Sequence, residues 1–354
     1  HTRDVFRFRH VSRPVTGRLI MERNRGEVGM NSFDLARIVL LSYEIYSKSI
    51  ELIQGGQEKT VWRVVTSDRS YCLKKLENGL EKMHFSIQAH KYIEHHNGPV
   101  PRIRRTRGGA LYSVYKDQVF VLYDWIDGKN PSFSSRSDLK KAVAALARFH
   151  QASIGFVPSI PCRVSSNWGK WADQYHTMMQ HCHKWKHSRH YSSLSHADQR
   201  HIKEIMDNGE RAKNLLSRSN YANWTEKKKK SICHLDFKER NIIVTKNQCV
   251  LLDTDRAAYD LPIRDLRIVI HQEMQKKETW DTDLFHNMIS WYTRKNPLTD
   301  EQVKLLYIDC FFPHELYKTV IKPFMYNKNV SPARLARAIH IELTKKKALA
   351  KMIR

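Results

Sequence analysis

Four polar side chains in one short segment have the types and order that phosphoryl transfer requires: His234, Asp236, Asn241 and Asp253. Transfer of a phosphoryl group needs a carboxylate that orients the attacking hydroxyl and two oxygen ligands that hold Mg²⁺ against the nucleotide phosphates. Asp236 suits the first task, and Asn241 with Asp253 suits the second. The segment therefore predicts a Mg²⁺-dependent site that uses ATP or GTP.

The residues between Asn241 and Asp253 predict a hairpin that brings these two ligands together. The apolar runs 242–245 and 249–252 are typical of short buried strands, and 246–248 is typical of a turn. Asn241 and Asp253 are equally distant from Asn247 in the sequence. Antiparallel pairing is therefore expected to set them side by side, about 4.5–5.5 Å apart between α-carbons. Oxygen donors that close can share one Mg²⁺, whose ligands lie at about 2.0–2.1 Å.

The order of these residues resembles the aminoglycoside phosphotransferase and choline kinase superfamily, which has H-G-D-x4-N followed by a strand ending in I-D. The continuation through 252–255 and 259–267, with the run D-L-P-I-R-D-L-R, is similar to the spore-coat branch of that superfamily, the CotS family. The similarity covers most of the chain from about residue 50, and further matching segments are Gly55-Gly56, 72–74, 121–128 and 312–317. The resemblance implies an α+β, bilobal protein-kinase-like fold, with a small antiparallel-sheet N-lobe and a larger, mostly helical C-lobe.

His234 is assigned to the same catalytic loop as Asp236. We expect its ring to hydrogen-bond the backbone near the metal-binding strand and to hold the loop rigid. A general-base role is the alternative, and it is disfavoured because the aspartate lies closer to the acceptor in related sites. The other interpretation of the whole segment is a surface loop before a structural hairpin, since H-x-D-x4-N also occurs by chance.

The N-lobe is expected to hold the nucleotide. Strands are predicted at Ile50–Ile53, Val61–Val65 and Ser70–Lys74, and helices at Phe33–Ile45, Leu80–His95 and Ser137–His150. Gly55 and Gly56 join the first two strands, where a glycine turn lets backbone N–H groups approach phosphate oxygens; a plain hairpin turn is the alternative. Lys74 lies on the third strand, where kinases carry the lysine that pairs with the α- and β-phosphates. Lys75 alternates to the opposite face.

The resemblance also implies a lobe-connecting hinge, with backbone groups near Tyr123 and Trp125 meeting the adenine edge. The predicted division of the chain is a poorly ordered basic extension at 1–32, a nucleotide-binding N-lobe at 33–127 and a C-lobe at 128–354. A helical insertion on the acceptor side is expected at about 151–230. One position departs from the family pattern: Gln88 stands nearest to where a helix glutamate would orient the lysine.

Net charge, cysteine spacing and the lengths of apolar stretches indicate where the protein is found and which partners it could bind. The formal net charge of +25 creates a field that attracts polyanions or acidic surfaces, although no nucleic-acid-binding motif is present. The six cysteines lack C-x-x-C pairs and framework spacing, which favours reduced thiols inside a cell. No apolar stretch approaches the length of a membrane span. These features predict synthesis in the cytoplasm, and the resemblance implies the spore coat as the final location.

Two functions from different classes follow. The first is a phosphotransferase that uses ATP or GTP with Mg²⁺ and acts on a hydroxyl acceptor that the sequence does not identify. The second is a kinase-fold structural component of the spore coat with little or no turnover, whose partners are other coat proteins. Gln88 and the high charge favour the second function, whereas the retention of Asp236, Asn241 and Asp253 favours the first. A nucleic-acid-binding protein is a third interpretation, and it is disfavoured because it rests on charge alone.

Overall fold

The computed structural model describes residues 31–56, 59–76, 79–227 and 229–353, apart from the side chain of Lys82. Contacts divide the described chain into two compact units. The first takes in the residues up to Glu81 together with Ile103–Trp125 and Val157–Cys162, and the second takes in Lys82–Arg102, Ile126–Phe156 and the residues from Arg163 onward. The lobe bounds given above stay predictions.

The first unit is an antiparallel sheet with one helix packed against it. Its elements are α1 (Ser32–Leu41), β1 (Ser49–Gln54), β2 (Thr60–Val65), β3 (Ser70–Lys75), β4 (Ile103–Arg104), β5 (Ser113–Tyr115) and β6 (Gln118–Asp124). The strand order is β1-β2-β3-β6-β4, with β5 paired to β6. Alternation along β2 buries Trp62 and Val64 against Val39 and Leu40 of α1, which forms the core of this unit.

The three strands predicted from the sequence are present, each longer by one residue or two than its apolar run. The helix predicted at Phe33–Ile45 ends earlier, at Leu41. It begins where the side chain of Asn31 accepts the N–H groups of Phe33 and Asp34, both at 2.9 Å. The predicted basic extension lies outside the described residues except for Asn31 and Ser32.

The second unit is mostly helical. Its long helices are α2 (Leu80–His95), α3 (Arg136–Ser153), α4 (Trp171–Lys186), α6 (His196–Ser217), α8 (Ile263–Lys277), α9 (Thr282–Thr293), α10 (Asp300–Phe311) and α13 (Pro332–Leu349). Its shorter helices are α5 (Arg189–Ser192), α7 (Tyr221–Thr225), α11 (His314–Leu316) and α12 (Lys322–Met325), with a π-helical turn at Tyr317–Ile321. The predicted bounds of α2 coincide with the observed ones, and the helix predicted at Ser137–His150 extends to Arg136–Ser153.

Two small strand pairs in this unit flank the candidate site residues. The strands β7 (Ile232–Cys233) and β10 (Ala258–Tyr259) pair with each other, as do β8 (Ile242–Val244) and β9 (Cys249–Leu251). A buried layer of α3 and α8 side chains, which includes Leu146, Phe149, Leu266 and Val269, belongs to the same unit. Each pair is short, so the loops that leave it depend on side-chain hydrogen bonds for their position.

Candidate active site

The hairpin of β8 and β9 sets the position of Asn241. Ile242 pairs with Leu251 and Val244 with Cys249, and the N–H of Thr245 closes the turn on the carbonyl of Gln248 at 2.8 Å. The connection therefore has four residues, and the symmetry axis lies between residues 246 and 247. Asn241 consequently stands opposite Leu252, whose N–H donates to its carbonyl at 2.8 Å. The predicted pairing of Asn241 with Asp253 is wrong by one residue.

A neighbouring segment pairs with β8 on the side away from β9. Lys129 bridges to Val244, and the side-chain amide of Asn130 donates to the carbonyl of Ile242 at 2.8 Å. At Gly128 a β-carbon would lie 2.3 Å from the carbonyl oxygen of Val244, so the backbone can approach this closely only with glycine. β8 is therefore held by backbone pairing on both of its edges.

Asp265 holds the start of the catalytic loop. Its carboxylate accepts the N–H of His234 at 2.5 Å, the N–H of Leu235 at 2.9 Å and the Nε2–H of His150 at 3.0 Å. Burial by itself would raise the pKa of Asp265, but the hydrogen bonds from His150 and from the backbone N–H of His234 outweigh it and lower the pKa below its ordinary value. Asp265 is thus an ionised anchor, and it lies in the D-L-P-I-R-D-L-R run that the sequence singled out.

His234 is fully buried, and both of its ring nitrogens are occupied. Nε2 lies 2.9 Å from the carbonyl oxygen of Leu252, and Nδ1 accepts the N–H of Asp236 at 3.3 Å. This pattern requires the neutral ring with its proton on Nε2. The ring therefore ties the catalytic loop to the residue before Asp253, and the hydrogen bonds favour the structural role over the general-base alternative.

Asp236 is surrounded by hydrogen-bond donors. The ammonium of Lys238 lies 2.6 Å from each carboxylate oxygen, and the side-chain amide of Asn241 donates to Oδ2 at 2.8 Å and to the backbone carbonyl of Asp236 at 2.9 Å. Lys238 was missed by the sequence reasoning, although a cation two residues after the aspartate was a signal that could have found it. The loop thus brings together Asp236, Asn241 and an additional cation.

Asp253 lies two residues after the end of β9 and adopts the left-handed conformation, with φ 63° and ψ 61°. The next residue, Thr254, is fixed by His90 of α2, whose Nδ1 lies 3.0 Å from the Thr254 hydroxyl and whose Nε2 lies 2.7 Å from the carbonyl oxygen of Pro101. His90 was also missed, although a histidine on the buried face of α2 was visible in the sequence. These contacts fix the backbone that carries the Asp253 carboxylate.

The site has oxygen donors of the kind that Mg²⁺ takes. Because the Nδ2 atom of Asn241 is turned to Asp236, its Oδ1 atom is the one left for a cation. Asp253 adds a carboxylate on the adjoining backbone, one residue beyond the partner of Asn241. The residues that are present therefore fit a Mg²⁺ ion held by Asn241 and Asp253.

Lys74 and its neighbour Lys75 are both buried in the first unit, with 6% and 8% of their surfaces exposed. Lys74 pairs with Val61 on β2 and with Val121 on β6, in the middle of the sheet. The alternative of two solvent-facing lysines is therefore wrong. Gln88 of α2, at the position that departs from the family pattern, is buried in the second unit.

The other predicted nucleotide contacts also lie in the first unit. Gly55 and Gly56 follow β1 with backbone angles that other residues also adopt, and Gly56 accepts the hydroxyl of Thr60 at 2.9 Å. Tyr123 is buried on β6, opposite Cys72 and Ile103. Trp125 donates its backbone N–H to Ser70 at 3.2 Å, and the guanidinium of Arg63 lies 4.9 Å from its ring centre.

Comparison with known proteins identifies the family. The profile of the phosphotransferase enzyme family matches residues 49–293, which include both the sheet of the first unit and the catalytic loop. The chain belongs to this family. A relative of this chain, spore coat protein S of Bacillus subtilis (strain 168), is 28% identical over 286 residues, which cover 78% of this chain and 80% of that protein.

Solved structures share the fold of this phosphotransferase-family chain. An aminoglycoside phosphotransferase from Alicyclobacillus acidocaldarius subsp. acidocaldarius DSM 446 has a TM-score of 0.69 at 16% identity, covering 89% of this chain and 94% of its own. Spectinomycin phosphotransferase APH(9)-Ia, in complex with ADP and spectinomycin, has a TM-score of 0.53 at 14% identity, and the match covers 92% of this chain and 100% of that one. Amicoumacin kinase hAmiN, in complex with AMP-PNP, Ca²⁺ and Ami, has a TM-score of 0.55 at 12% identity, and the match covers 91% of this chain and 94% of that one.

These likenesses confirm the α+β kinase-like fold that the sequence predicted, with an antiparallel sheet followed by a mostly helical region. They also confirm the resemblance to the phosphotransferase superfamily and a distant relationship to spore coat protein S. No helix in the described part of the chain is both long enough and apolar enough to cross a bilayer.

Proposed function

We propose that the protein is a Mg²⁺-dependent phosphotransferase that moves the γ-phosphoryl group of ATP or GTP to a hydroxyl acceptor. The observation that carries the proposal is the group formed by Asp236, Lys238 and Asn241 in a loop fixed by Asp265 and His234. A carboxylate held by a cation and by the amide of a buried asparagine is organised for positioning, which supplies most of the rate enhancement in phosphoryl transfer.

In the proposed reaction the acceptor oxygen attacks the γ-phosphorus, and the bond from that phosphorus to the bridging oxygen of the β-phosphate breaks. Asp236 orients the acceptor hydroxyl and takes its proton, which then passes to solvent, and the nucleoside diphosphate leaves. Asn241 and Asp253 hold Mg²⁺, which supplies positive charge against the phosphate oxygens. Lys74 pairs with the α- and β-phosphates, Gly55 and Gly56 offer backbone N–H groups, and the backbone near Tyr123 and Trp125 meets the base.

A kinase-fold component of the spore coat with little turnover is the second candidate. Spore coat protein S is a relative over most of the chain, and Gln88 stands where a charged partner for the lysine is expected. The net charge of +25 also suits binding to acidic coat proteins. Synthesis in the cytoplasm and a final location in the spore coat belong to both candidates as proposals.

A thermal-shift titration with ATP and with GTP, each with and without Mg²⁺, tests the nucleotide site. We expect stabilisation that requires Mg²⁺ in the wild type and is lost in Asp253→Asn, because that variant removes one charged ligand of the metal. Asp207→Asn, which changes an exposed carboxylate on α6, is the matched control and should behave like the wild type. Absence of a shift at millimolar nucleotide would exclude the phosphotransferase and favour the structural component.

A further inference from the structure

A cavity with several polar side chains on its wall lies in the second unit. It has a volume of about 390 Å³ and is bordered by the first turns of α4, the start of α8 and the segment from α11 into the π-helical turn. The polar side chains on its wall are Lys170, Asp173, Gln174, Arg264, His314 and Tyr317. This volume suits a small metabolite of sugar size.

Arg264 is the most firmly held of these side chains. Its Nε donates to Asp260 at 3.0 Å, its Nη2 donates to Gln174 at 2.7 Å, and its guanidinium lies 4.5 Å from the ring centre of Trp171. Only 12% of the side chain is exposed. No described residue bonds its Nη1 atom, so a fixed donor remains for a ligand. A guanidinium preorganised in this way loses little entropy when it binds an anion.

The cavity wall and the catalytic loop are carried by the same short segment. Asp265, which accepts the N–H groups of His234 and Leu235, directly follows Arg264. Asp260, which pairs with Arg264, also accepts the hydroxyl of Ser231 through its backbone carbonyl at 2.8 Å. The orientation of Arg264 is therefore coupled to the loop that carries Asp236.

The rim of the cavity is also rigid. Tyr317 begins the π-helical turn, its ring stacks on that of His181 at a 10° interplanar angle, and its hydroxyl lies 2.9 Å from Nδ1 of His181. A π-helical turn inserts one extra residue into a helix and often occurs at functional sites. Tyr317 lines the cavity at this turn, and the stacking on His181 holds it there.

The hydrogen-bond donors on the wall favour an anionic ligand. Lys170 and Arg264 are the cations among the lining residues, Asp173 is the one carboxylate, and Asp260 pairs with Arg264 from a fully buried position. Burial lowers the pKa of His314 to about 3, which keeps that ring neutral. A carboxylate or phosphate could accept from the Nη1 atom of Arg264 and from the ammonium of Lys170, whereas a cationic ligand would have only Asp173 as a charged partner among the lining residues. On the basis of the proposed phosphotransferase function, we infer that this cavity selects a hydroxyl acceptor that carries a carboxylate or phosphate group.

Release of ADP in the presence of matched acceptors tests the inference. D-glycerate and glycerol 3-phosphate supply the two anionic groups, glycerol is the neutral counterpart and ethanolamine is the cationic one. We expect turnover with an anionic compound and a KM at least tenfold higher for glycerol and ethanolamine, since a hydrogen bond to a charged group contributes about a tenfold effect or more. A higher efficiency with ethanolamine or glycerol would overturn the inference.

Variants separate the role of the cavity from folding. Arg264→Lys keeps a charge beside Asp260 but loses the fork, and it should raise the KM for the anionic acceptor about tenfold while leaving that for ATP unchanged. Lys170→Gln, at an exposed position just before α4, should raise the KM for the anionic acceptor severalfold without affecting stability. Lys184→Gln, at an exposed position on α4, is the control and should leave this KM unchanged. Unchanged KM values in the first two variants would contradict the proposed role.

The two proposals fail in distinguishable ways. If nucleotide gives no Mg²⁺-dependent stabilisation, the proposed phosphotransferase function is excluded, and the inference about the acceptor is excluded with it. If nucleotide binds, but the anionic compounds neither accept a phosphoryl group nor further stabilise the nucleotide-bound protein, only the acceptor inference is excluded.

Discussion

The ammonium of Lys238 lies 2.6 Å from both carboxylate oxygens of Asp236. With 28% and 20% of their side chains exposed, the two groups are partly shielded from solvent. In the proposed reaction the acceptor hydroxyl shares the Asp236 carboxylate with this cation and with the amide of Asn241. Lys238 therefore holds the Asp236 carboxylate in one orientation.

Replacement of Asp236 by asparagine should abolish turnover while the fold and the nucleotide site are retained. The amide still accepts a hydrogen bond from Asn241, but it takes no proton from the acceptor, so kcat should fall by about 10²–10⁴. ADP release measures the loss, and the nucleotide thermal shift measures retained binding. Turnover at the wild-type rate in this variant would exclude Asp236 from the role proposed for it.

Replacement of Asp265 by alanine should lower the free energy of unfolding and slow the proposed reaction. It leaves the N–H groups of His234 and Leu235 and the ring of His150 without their buried acceptor, which costs about 3–5 kcal/mol. Urea unfolding followed by circular dichroism gives the free energy. Asp283→Ala, at an exposed position at the start of α9, is the control, and equal stability of the two variants would contradict the anchoring role.

The family fold and the candidate site residues Asp236, Asn241 and Asp253 could be predicted from the sequence, because they follow from local strings such as D-L-P-I-R-D-L-R and from strand periodicity. The sequence reasoning misjudged the hairpin register, since a four-residue and a three-residue turn differ only in how Thr245 bonds Gln248. It also missed His90 as an anchor of the site, and it predicts that Asp265 holds the loop after the hairpin, whereas Asp265 bonds the loop before it. Their partners are 164 and 31 residues away, and periodicity carries no information about such contacts.

A buried ion pair near the C-terminus should show strong coupling. Lys345 contacts Glu342 with 2% of each side chain exposed, and Glu342 also accepts the N–H groups of Glu315 and Leu316. Lys345→Met should cost about 3–5 kcal/mol, because Glu342 is left buried without its cation, and adding Glu342→Gln should recover part of this. A double-mutant cycle in urea measures the coupling. Lys347→Met is the exposed control, and additive single effects would contradict the prediction.

Stability should fall as the pH drops below about 6.5. Burial lowers the pKa of His314 to about 3 and that of His271 well below its ordinary value, so the unfolded chain binds protons that the folded one does not. Stability from these rings is complete above their unfolded pKa and is lost as the pH falls from there toward the folded values. Each should contribute a loss of about 1 kcal/mol between pH 7.5 and 5.5.

Comparison of the wild type with His314→Gln isolates this effect. Burial raises the pKa of Asp260 and of Glu342, and these groups act in the opposite sense, so the difference between the two proteins is the informative quantity. The wild type should lose about 1 kcal/mol more than the variant over this pH range, measured by urea unfolding. Parallel stability curves would show that His314 is protonated equally in both states.

Two residues that are not glycine adopt left-handed backbone angles on either side of the catalytic hairpin: Leu235, with φ 60°, and Asp253, with φ 63°. This conformation costs an ordinary L-residue about 1–2 kcal/mol, and less for aspartate. Leu235 stands where the related H-G-D pattern has glycine. A laboratory selection for heat resistance alone should therefore return glycine or asparagine at both positions. A selection that also demands phosphoryl transfer should change position 235 and leave Asp253 in place.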